Sequence, residues 1–282
     1  MTSKPDRAPP AAKPAPTDDE ILEHQDNFYI LATSSRSDDR TRVLKHGDTF
    51  AVFDRFGDLQ PLGMGEQGLY HDGTRFLSRL ELRLGNRRPL LLSSTVTDDN
   101  ELLTVDLTNP DIESRGATLL LPRGHLHVFR AKFLWRGSCH ERIRISNFAL
   151  RPVETDVTLS FDADYCDVFE VRGARRERRG HRLAGRMTAD EIVLGYEGLD
   201  GTARHTRLGF QPAPTSLTEG RARFELHLPP GESFLLHVTT DCALGTGDQI
   251  GFGARLDHDE ALAGLRVEQQ SARARHASET ST

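Results

Sequence analysis

The segment VETDVTLSFD, residues 153–162, decides the fold class, because its apolar residues recur at every second position. Val153, Val157, Leu159 and Phe161 share one face of an extended chain, and the polar residues between them share the other. A helix would place its apolar residues three or four positions apart instead. The segment therefore predicts a β-strand with one buried face.

The same period of two recurs along most of the chain. It predicts further strands in SRLELRL (78–84), HLHVFRAKFLW (125–135), ERIRISNF (141–148), ARFELHL (222–228) and SFLLHVTT (233–240). Gly85-Asn86 predicts a hairpin that joins the first of these to PLLLSS, residues 89–94. Many short strands separated by turns, with no βαβ rhythm, predict an all-β fold, a large antiparallel β-supersandwich.

Helices are expected at only two places, near the ends of the chain. The segments are TDDEILEHQ (17–25) and HDEALAGLRVEQQSAR (258–273), which are rich in good helix formers. Prolines among alanines and charges predict a disordered leader, and SARARHASETST (271–282) predicts a disordered tail. The predicted organisation is a leader over 1–20, a β-supersandwich over 21–257, and a short helix with a tail over 258–282.

Composition excludes several classes of partner. The net charge of −6 gives the whole chain no attraction to nucleic acid or to an anionic membrane. No apolar run approaches the roughly 20 residues that a membrane helix needs. Cys139, Cys166 and Cys242 are far apart and form no paired motif, and the N-terminal residues lack an apolar secretory core. We expect a cytoplasmic protein without nucleic-acid or membrane partners.

Five segments, in order, resemble a known family. They are VLKHGDTFAVFDRFGDLQP (43–61), GLYHDGTRFLSRLEL (68–82), RRPLLLSS (87–94), VDLTNPD (105–111) and FDADYCDVFEVRG (161–173). Together they resemble the N-terminal domain of bacterial and archaeal-type glycogen debranching enzymes, the amylo-α-1,6-glucosidase-like proteins, over roughly residues 26–250. The resemblance implies a β-supersandwich, which in full-length members precedes an (α/α)6 toroid that carries the glycosidase acid and base.

The sequence after residue 250 predicts one helix, whereas an (α/α)6 toroid consists of many. The resemblance therefore implies a non-catalytic accessory domain of a glycogen debranching system. Its implied partner is an (α/α)6 glycosidase domain or chain, and contact with α-glucan is a further expectation. No catalytic residue is carried over from the family to this chain.

The segment 161–173 is the first candidate site, because it gathers carboxylates. As a catalytic centre it would pair Asp164 with Asp167, or Asp167 with Glu170, across a glycosidic bond. Carboxylates so close in sequence are poorly placed to flank opposite faces of a sugar. As a metal loop it lacks calcium-loop spacing and a glycine at the turning position. We predict no catalytic residue, metal or cofactor here.

The structural interpretation of this segment is the polar end of a strand. Asp162 and Asp164 would then accept hydrogen bonds from the backbone of a turn. Three apolar residues would re-enter the core, namely Val168, Phe169 and Val171. We expect Arg172 to pair with Glu170 or with an aspartate. The candidates for contact with glucan or with a partner domain are Asp164, Asp167, Glu170 and Arg172.

GLYHDGTRFL, residues 68–77, is the second candidate site. His71 and Asp72 could hydrogen-bond sugar hydroxyls, and Tyr70 could offer a stacking face. The structural alternative is a turn at Asp72 and Gly73 that opens a strand, with Arg75 in an ion pair. We take Tyr70, His71, Asp72 and Arg75 as candidates for substrate or interdomain contact.

Two other features predict structure rather than a site. VRGARRERRGHR, residues 171–182, carries six arginines without an interleaved aromatic residue, which is typical of a solvated loop or hairpin. His125 and His127 share a strand face but have no evident third metal ligand. Cys166 lacks a neighbouring base and is expected to be a small buried group.

Two alternative functions remain open. A stand-alone carbohydrate-binding module would need exposed aromatic residues on one face, but aromatic residues make up only 7% of the chain and Trp135 is the only tryptophan. A small glycoside hydrolase would use the carboxylates of 162–170. Its activity would be abolished by changing Asp164 and Asp167 to asparagine.

Overall fold

The computed structural model describes residues 41–60, 65–113, 119–246, 249–250, 252 and 256–279. The predicted leader and the predicted helix at 17–25 lie outside these residues. The described part is built mainly of antiparallel strands, which confirms the predicted all-β sandwich with a C-terminal helix. None of its helices is long and apolar enough to cross a membrane.

The strands form one large sheet, two four-stranded sheets and a small two-stranded one. The large sheet follows the order β13 (His181–Met187), β14 (Glu191–Glu197), β15 (Ala203–Gln211), β18 (Ser233–Thr246), β11 (Ser138–Asn147), β10 (Leu126–Trp135), β7 (Leu102–Thr108) and β6 (Leu90–Val96), and β19 (Gln249–Ile250) pairs with β18.

The three smaller sheets are also antiparallel. The first four-stranded sheet follows the order β1 (Thr41–His46), β2 (Thr49–Asp54), β3 (Gly68–His71) and β4 (Thr74–Leu77). The second follows the order β16 (Ser216–Thr218), β17 (Arg221–Leu228), β12 (Val153–Asp162) and β5 (Arg79–Leu84). The two-stranded sheet pairs β8 (Ile112–Glu113) with β9 (Leu119–Leu121).

One continuous hydrophobic core receives side chains from the large sheet and from both four-stranded sheets. The period-two pattern predicted which residues enter it: Val153, Val157, Leu159 and Phe161 of β12 are at most 4% exposed. Strand β17 alternates strictly between exposed and buried residues. Burial of one strand face is the driving force that fixes the register of each sheet.

The predicted hairpin at Gly85-Asn86 is wrong. The tight turn itself is present: backbone hydrogen bonds of 2.8 Å run in both directions between Leu84 and Arg87. Strand β5 then pairs with β12, however, and β6 pairs with β7 of the large sheet. The turn carries the chain from one layer of the sandwich to the other. Local turn chemistry cannot reveal this, because it does not specify which distant strands the two flanking segments pair with.

A network of buried charges joins the layers. Arg130 of β10 donates from Nε to Glu141 Oε1 (2.7 Å) and from Nη1 to Asp58 Oδ1 (2.6 Å). Lys132 donates to the second oxygen of Glu141. The same Asp58 Oδ1 accepts from the backbone N–H of Leu82 in β5 at 3.2 Å. All four charged side chains are at most 2% exposed. We call Asp58, Arg130, Lys132 and Glu141 the buried charge network.

Helix α2 (His258–Glu279) lies on the large sheet. Ala261 and Leu265 are buried against Phe133 and Trp135, and the indole N–H of Trp135 donates to Glu268 at 3.0 Å. The helix extends beyond the predicted 258–273 and includes residues that we expected in a disordered tail. The alanines and arginines there favour a helix, and no glycine or proline ends it.

Changing Glu141 to glutamine should lower the free energy of unfolding by about 3–5 kcal/mol, because it leaves buried Lys132 without a charged partner and leaves Arg130 with Asp58 alone. Urea titration followed by circular dichroism measures this loss. The matched control is Glu225→Gln, since Glu225 lies in an exposed ion pair with Arg223 (2.9 Å). That control should lose about 1 kcal/mol or less.

A second variant guards against a trivial folding failure. Lys132→Met added to Glu141→Gln removes one uncompensated charge and should regain part of the lost stability. Equal stability of Glu141→Gln and the Glu225 control would contradict the assigned role of the network.

Stability should also fall in mild acid. His140 is 3% exposed and stacks on Phe133, with ring centroids 5.0 Å apart. Burial lowers the pKa of His140 to about 4 from an ordinary value of 6.5. Between these pH values the unfolded chain binds a proton that the folded chain excludes. The stabilisation is therefore complete above pH 6.5 and should decrease by about 3 kcal/mol as the pH falls to 4.

Urea titrations at pH 7.5 and pH 4.5 measure this effect, with His140→Gln as the comparison. The variant lacks the titrating ring but retains every carboxylate. Its free energy of unfolding should therefore fall less between the two pH values than that of the wild-type chain. Equal losses in both proteins would show that His140 does not contribute.

Candidate functional site

The two candidate segments from the sequence lie side by side. Strand β4 pairs with the chain that follows β12: the Arg75 N–H donates to the Cys166 carbonyl at 2.8 Å. The Val168 N–H donates to the carbonyl of Gly73 at 3.0 Å. Segments 68–77 and 161–173 therefore form one surface, although about ninety residues separate them.

Arg75 and Asp164 hold the two segments together. The guanidinium donates from Nε and Nη2 to the two carboxylate oxygens at 3.1 and 2.5 Å. Burial opposes the charge of Asp164, but the hydrogen bonds and charge of Arg75 outweigh it, so the pKa of Asp164 lies below its ordinary value. A side chain at Gly68 would come within 2.4 Å of Arg75 Cδ, which explains the glycine there.

The predicted turns at the carboxylates are confirmed. Asp162 accepts from the Ala163 N–H at 2.8 Å, and Asp164 accepts from the Cys166 N–H at 3.2 Å. The predicted return of the next residues to the core is wrong. They form a one-turn helix, α1 (Val168–Val171), without a buried residue, and Phe169 is 61% exposed. A capping box between Asp167 and Glu170 ends extended structure at this point.

The arginine run folds back onto these carboxylates. Arg176 pairs with Asp167, and Arg179 Nε lies 3.2 Å from Glu170 Oε1. Arg182 Nη2 lies 3.0 Å from Asp162 Oδ1 at the start of β13. The expected partner, Arg172, is exposed, and the described residues offer it no ion pair. The helical turn places Glu170 next to the returning run instead.

Of the other residues predicted to contact a ligand, two already use part of their side chains in contacts within the chain. Tyr70 is 2% exposed and stacks on Phe50 with ring centroids 4.5 Å apart, so it presents no free face to a sugar. His71 Nδ1 shares a hydrogen bond of 2.8 Å with Thr49. Asp72 is exposed in the turn, where it and Gly73 have φ values of 46° and 71°. Of these three, Asp72 is the most accessible.

A cleft of about 270 Å³ lies between the arginine run and the turn that joins β14 to β15. We call it the arginine cleft. Its charged lining residues are Asp167, Glu170, Arg176, Arg178, Arg179, Asp200 and Arg204. The rings of Tyr165 and Tyr196 stack on each other at 5.4 Å, and the Tyr196 hydroxyl accepts from the Gly180 N–H at 2.7 Å. The cleft therefore offers hydrogen-bonding groups rather than an open aromatic face.

This electrostatic setting disfavours acid catalysis by the aspartates. For Asp167, burial raises the pKa, but backbone hydrogen bonds and Arg176 outweigh burial and keep the pKa below its ordinary value. A glycosidase acid needs the opposite shift. The directions of these shifts thus give Asp164 and Asp167 no feature of a proton donor.

The described residues contain no group of three metal-ligating side chains. His127 Nε2 lies 2.9 Å from Asp106, and His125 Nδ1 lies 2.8 Å from the Pro122 carbonyl. Cys166 is half-buried, and burial, followed by the charge of Asp164, raises the pKa of its thiol. A raised pKa disfavours the reactive thiolate.

Sequence reasoning missed the partners contributed by the arginine run and by the β14–β15 turn. The capping-box spacing of Asp167 and Glu170 was a usable signal for α1. No comparable sequence pattern predicts that Asp200 and Arg204 line the cleft, because only the pairing of β14 with β15 brings them there.

A solved structure shares this fold at a TM-score above 0.5. The chain matches one described as "Putative kojibiose phosphorylase from human microbiome" with a TM-score of 0.51 and 11% identity, over 81% of this chain and 33% of that one. It thus spans about one third of the length of that protein. A galactose mutarotase-like protein from Lactobacillus casei matches at a TM-score of 0.40 and 7% identity, over 72% of this chain and 99% of that one. The first likeness shows the fold alone, and the second is too weak to carry an argument.

No curated protein matches the chain. The family comparison is decisive. The model of the N-terminal domain of (some) glycogen debranching enzymes matches residues 44–239, which is more than half of the chain and includes both candidate segments. The expected resemblance is confirmed, and the chain belongs to the family of N-terminal domains of glycogen debranching enzymes.

Proposed function

We propose that this chain is a non-catalytic accessory domain of a glycogen debranching system, of the amylo-α-1,6-glucosidase type. In this proposal it packs on an (α/α)6 glycosidase domain and contacts α-glucan through the arginine cleft. Family membership supports the type of system. The observation that carries the packing role is the difference between the two outer faces of the sandwich.

The outer face of the sheet that contains β12 and β17 is charged. Arg223 lies 2.9 Å from Glu225 and 3.6 Å from Asp156, and Arg79 lies 2.8 Å from Glu81. Rows of paired charges of this kind are typical of a face in contact with water. The charged groups remain hydrated there, and each exposed ion pair adds little to stability.

The outer face of the large sheet is more apolar. Helix α2 covers it at Phe133 and Trp135. Beyond the helix, cross-strand neighbours Leu235, Arg144 and Phe129 form one row. Leu235 is 45% exposed and Phe148 is 69% exposed, beside His127 of the same face. Apolar side chains next to an established helix contact fit a further helical partner surface.

Glucan contact is supported by the chemistry of the arginine cleft. Its paired guanidinium and carboxylate groups are fixed, planar donors and acceptors, which suit sugar hydroxyl groups. Loops on a rigid scaffold commonly carry binding residues, and this cleft lies between two such loops. We also place the system in the cytoplasm, where the three free cysteines fit a reducing environment.

The packing role predicts a one-to-one complex with a purified (α/α)6 glycosidase domain of amylo-α-1,6-glucosidase type from the same organism. Leu235→Asp should weaken the complex about tenfold or more, because it replaces apolar contact area with a hydrated carboxylate. Isothermal titration calorimetry measures the affinity. The matched control, His227→Asp on the charged outer face, should leave it unchanged, and absence of any complex would contradict the role.

The glucan contact predicts slower migration of the chain in a native gel that contains glycogen. Glu170→Gln and Asp200→Asn should restore much of the mobility, because each removes a charge and replaces one acceptor oxygen of the arginine cleft with an NH2 donor. Glu225→Gln, which makes the same chemical change on the charged outer face, serves as the control. Unchanged mobility of the wild-type chain would overturn the glucan contact and leave the packing role standing.

A further inference from the structure

The charges of the arginine cleft do not balance. Four arginines and three carboxylates line it. Each carboxylate has its own arginine: Arg176 with Asp167, Arg179 with Glu170, and Arg204 with Asp200 at 2.9 Å. Hydrogen bonds from Arg204 and from the backbone hold the pKa of Asp200 below its ordinary value, so that this pair also stays charged. One positive charge is left over.

That charge belongs to Arg178. Among the residues that the structure describes, Arg178 has no ion-pair partner, although it lines the cleft between two paired arginines of the same run. A guanidinium group is the preferred partner of phosphate and carboxylate oxygens.

The three carboxylates of the cleft lining determine which kind of anion can bind there. The carboxylate oxygens of Asp167, Glu170 and Asp200 can accept hydrogen bonds from hydroxyl groups, but they repel a bare anion. The best ligand therefore carries a negative group at one end and hydroxyl groups at the other. The volume of about 270 Å³ suits a single sugar unit, either free or as one unit of a glucan.

We propose that the arginine cleft binds a saccharide phosphate monoester, with the phosphate on Arg178 and the sugar hydroxyls on the paired carboxylates. The saccharide part rests on the proposed function, whereas the phosphate part rests on the charge of this chain alone. The ligand class is a hexose phosphate or a phosphorylated unit of a glucan.

Calorimetric titrations with glucose 1-phosphate, glucose and inorganic phosphate test the proposal on the intact chain. Glucose 1-phosphate should bind about tenfold or more tightly than either of the others, since a hydrogen bond to a charged group supplies an effect of this order. Arg178→Ala should remove that advantage. The matched control is Arg175→Ala, a loss of a neighbouring exposed arginine that does not line the cleft, and it should bind normally. Thermal unfolding of both variants verifies that they are folded.

Equal affinity for glucose and glucose 1-phosphate would overturn the proposal, as would normal phosphate binding by Arg178→Ala. Equal affinity for inorganic phosphate and glucose 1-phosphate would leave only a simple anion site and also overturn it. These failures are distinguishable from failure of the proposed function. Retardation of the wild-type chain by glycogen, without a preference for phosphate, would refute this proposal and retain the glucan contact.

Discussion

The buried charge network is the interaction on which the rest of the structure depends. Arg130 and Lys132 belong to the large sheet, and their shared partner Glu141 lies on the neighbouring strand. Asp58 follows β2 of one small sheet and accepts from Leu82 of the other. Backbone hydrogen bonds between Leu59 and Leu80 (2.9 and 3.0 Å) continue the same junction. A charge removed from water must keep its partners, so the network ties all three sheets into one relative position.

This fixed position makes the candidate site possible. Strands β4 and β12 come from different small sheets, and Arg75 reaches Asp164 only because the two sheets are held together. Three carboxylates near Asp164, namely Asp162, Asp167 and Glu170, then hold the arginine run through ion pairs. The arginine cleft is thus a consequence of sandwich assembly, while the large sheet leaves its outer face to α2 and, in our proposal, to a helical partner domain.

The sequence predicted the strands with a regular alternation of buried and exposed residues, but it did not predict contacts between residues far apart in the chain. Alternation in 153–162 and 222–228 predicted both strands and their buried faces, because water acts on each strand locally. The turn at Gly85-Asn86 was visible, but its destination was not. Arg130 and Lys132 gave no warning of a buried network, since charged residues in a strand normally indicate a solvated face. Of the residues that line the arginine cleft, Asp167 and Glu170 were among the sequence candidates, but their contacts with Arg176 and Arg179 arise only in three dimensions.

Hydroxyl-radical footprinting of the chain, alone and mixed with an (α/α)6 glycosidase domain, tests the central claim most directly. The method reports the solvent exposure of individual side chains. Our account predicts that Leu235 and Phe148 become protected in the mixture, while His227, which is 64% exposed on the charged face, remains reactive. Protection of His227 with continued reactivity of Leu235 and Phe148 would contradict the account.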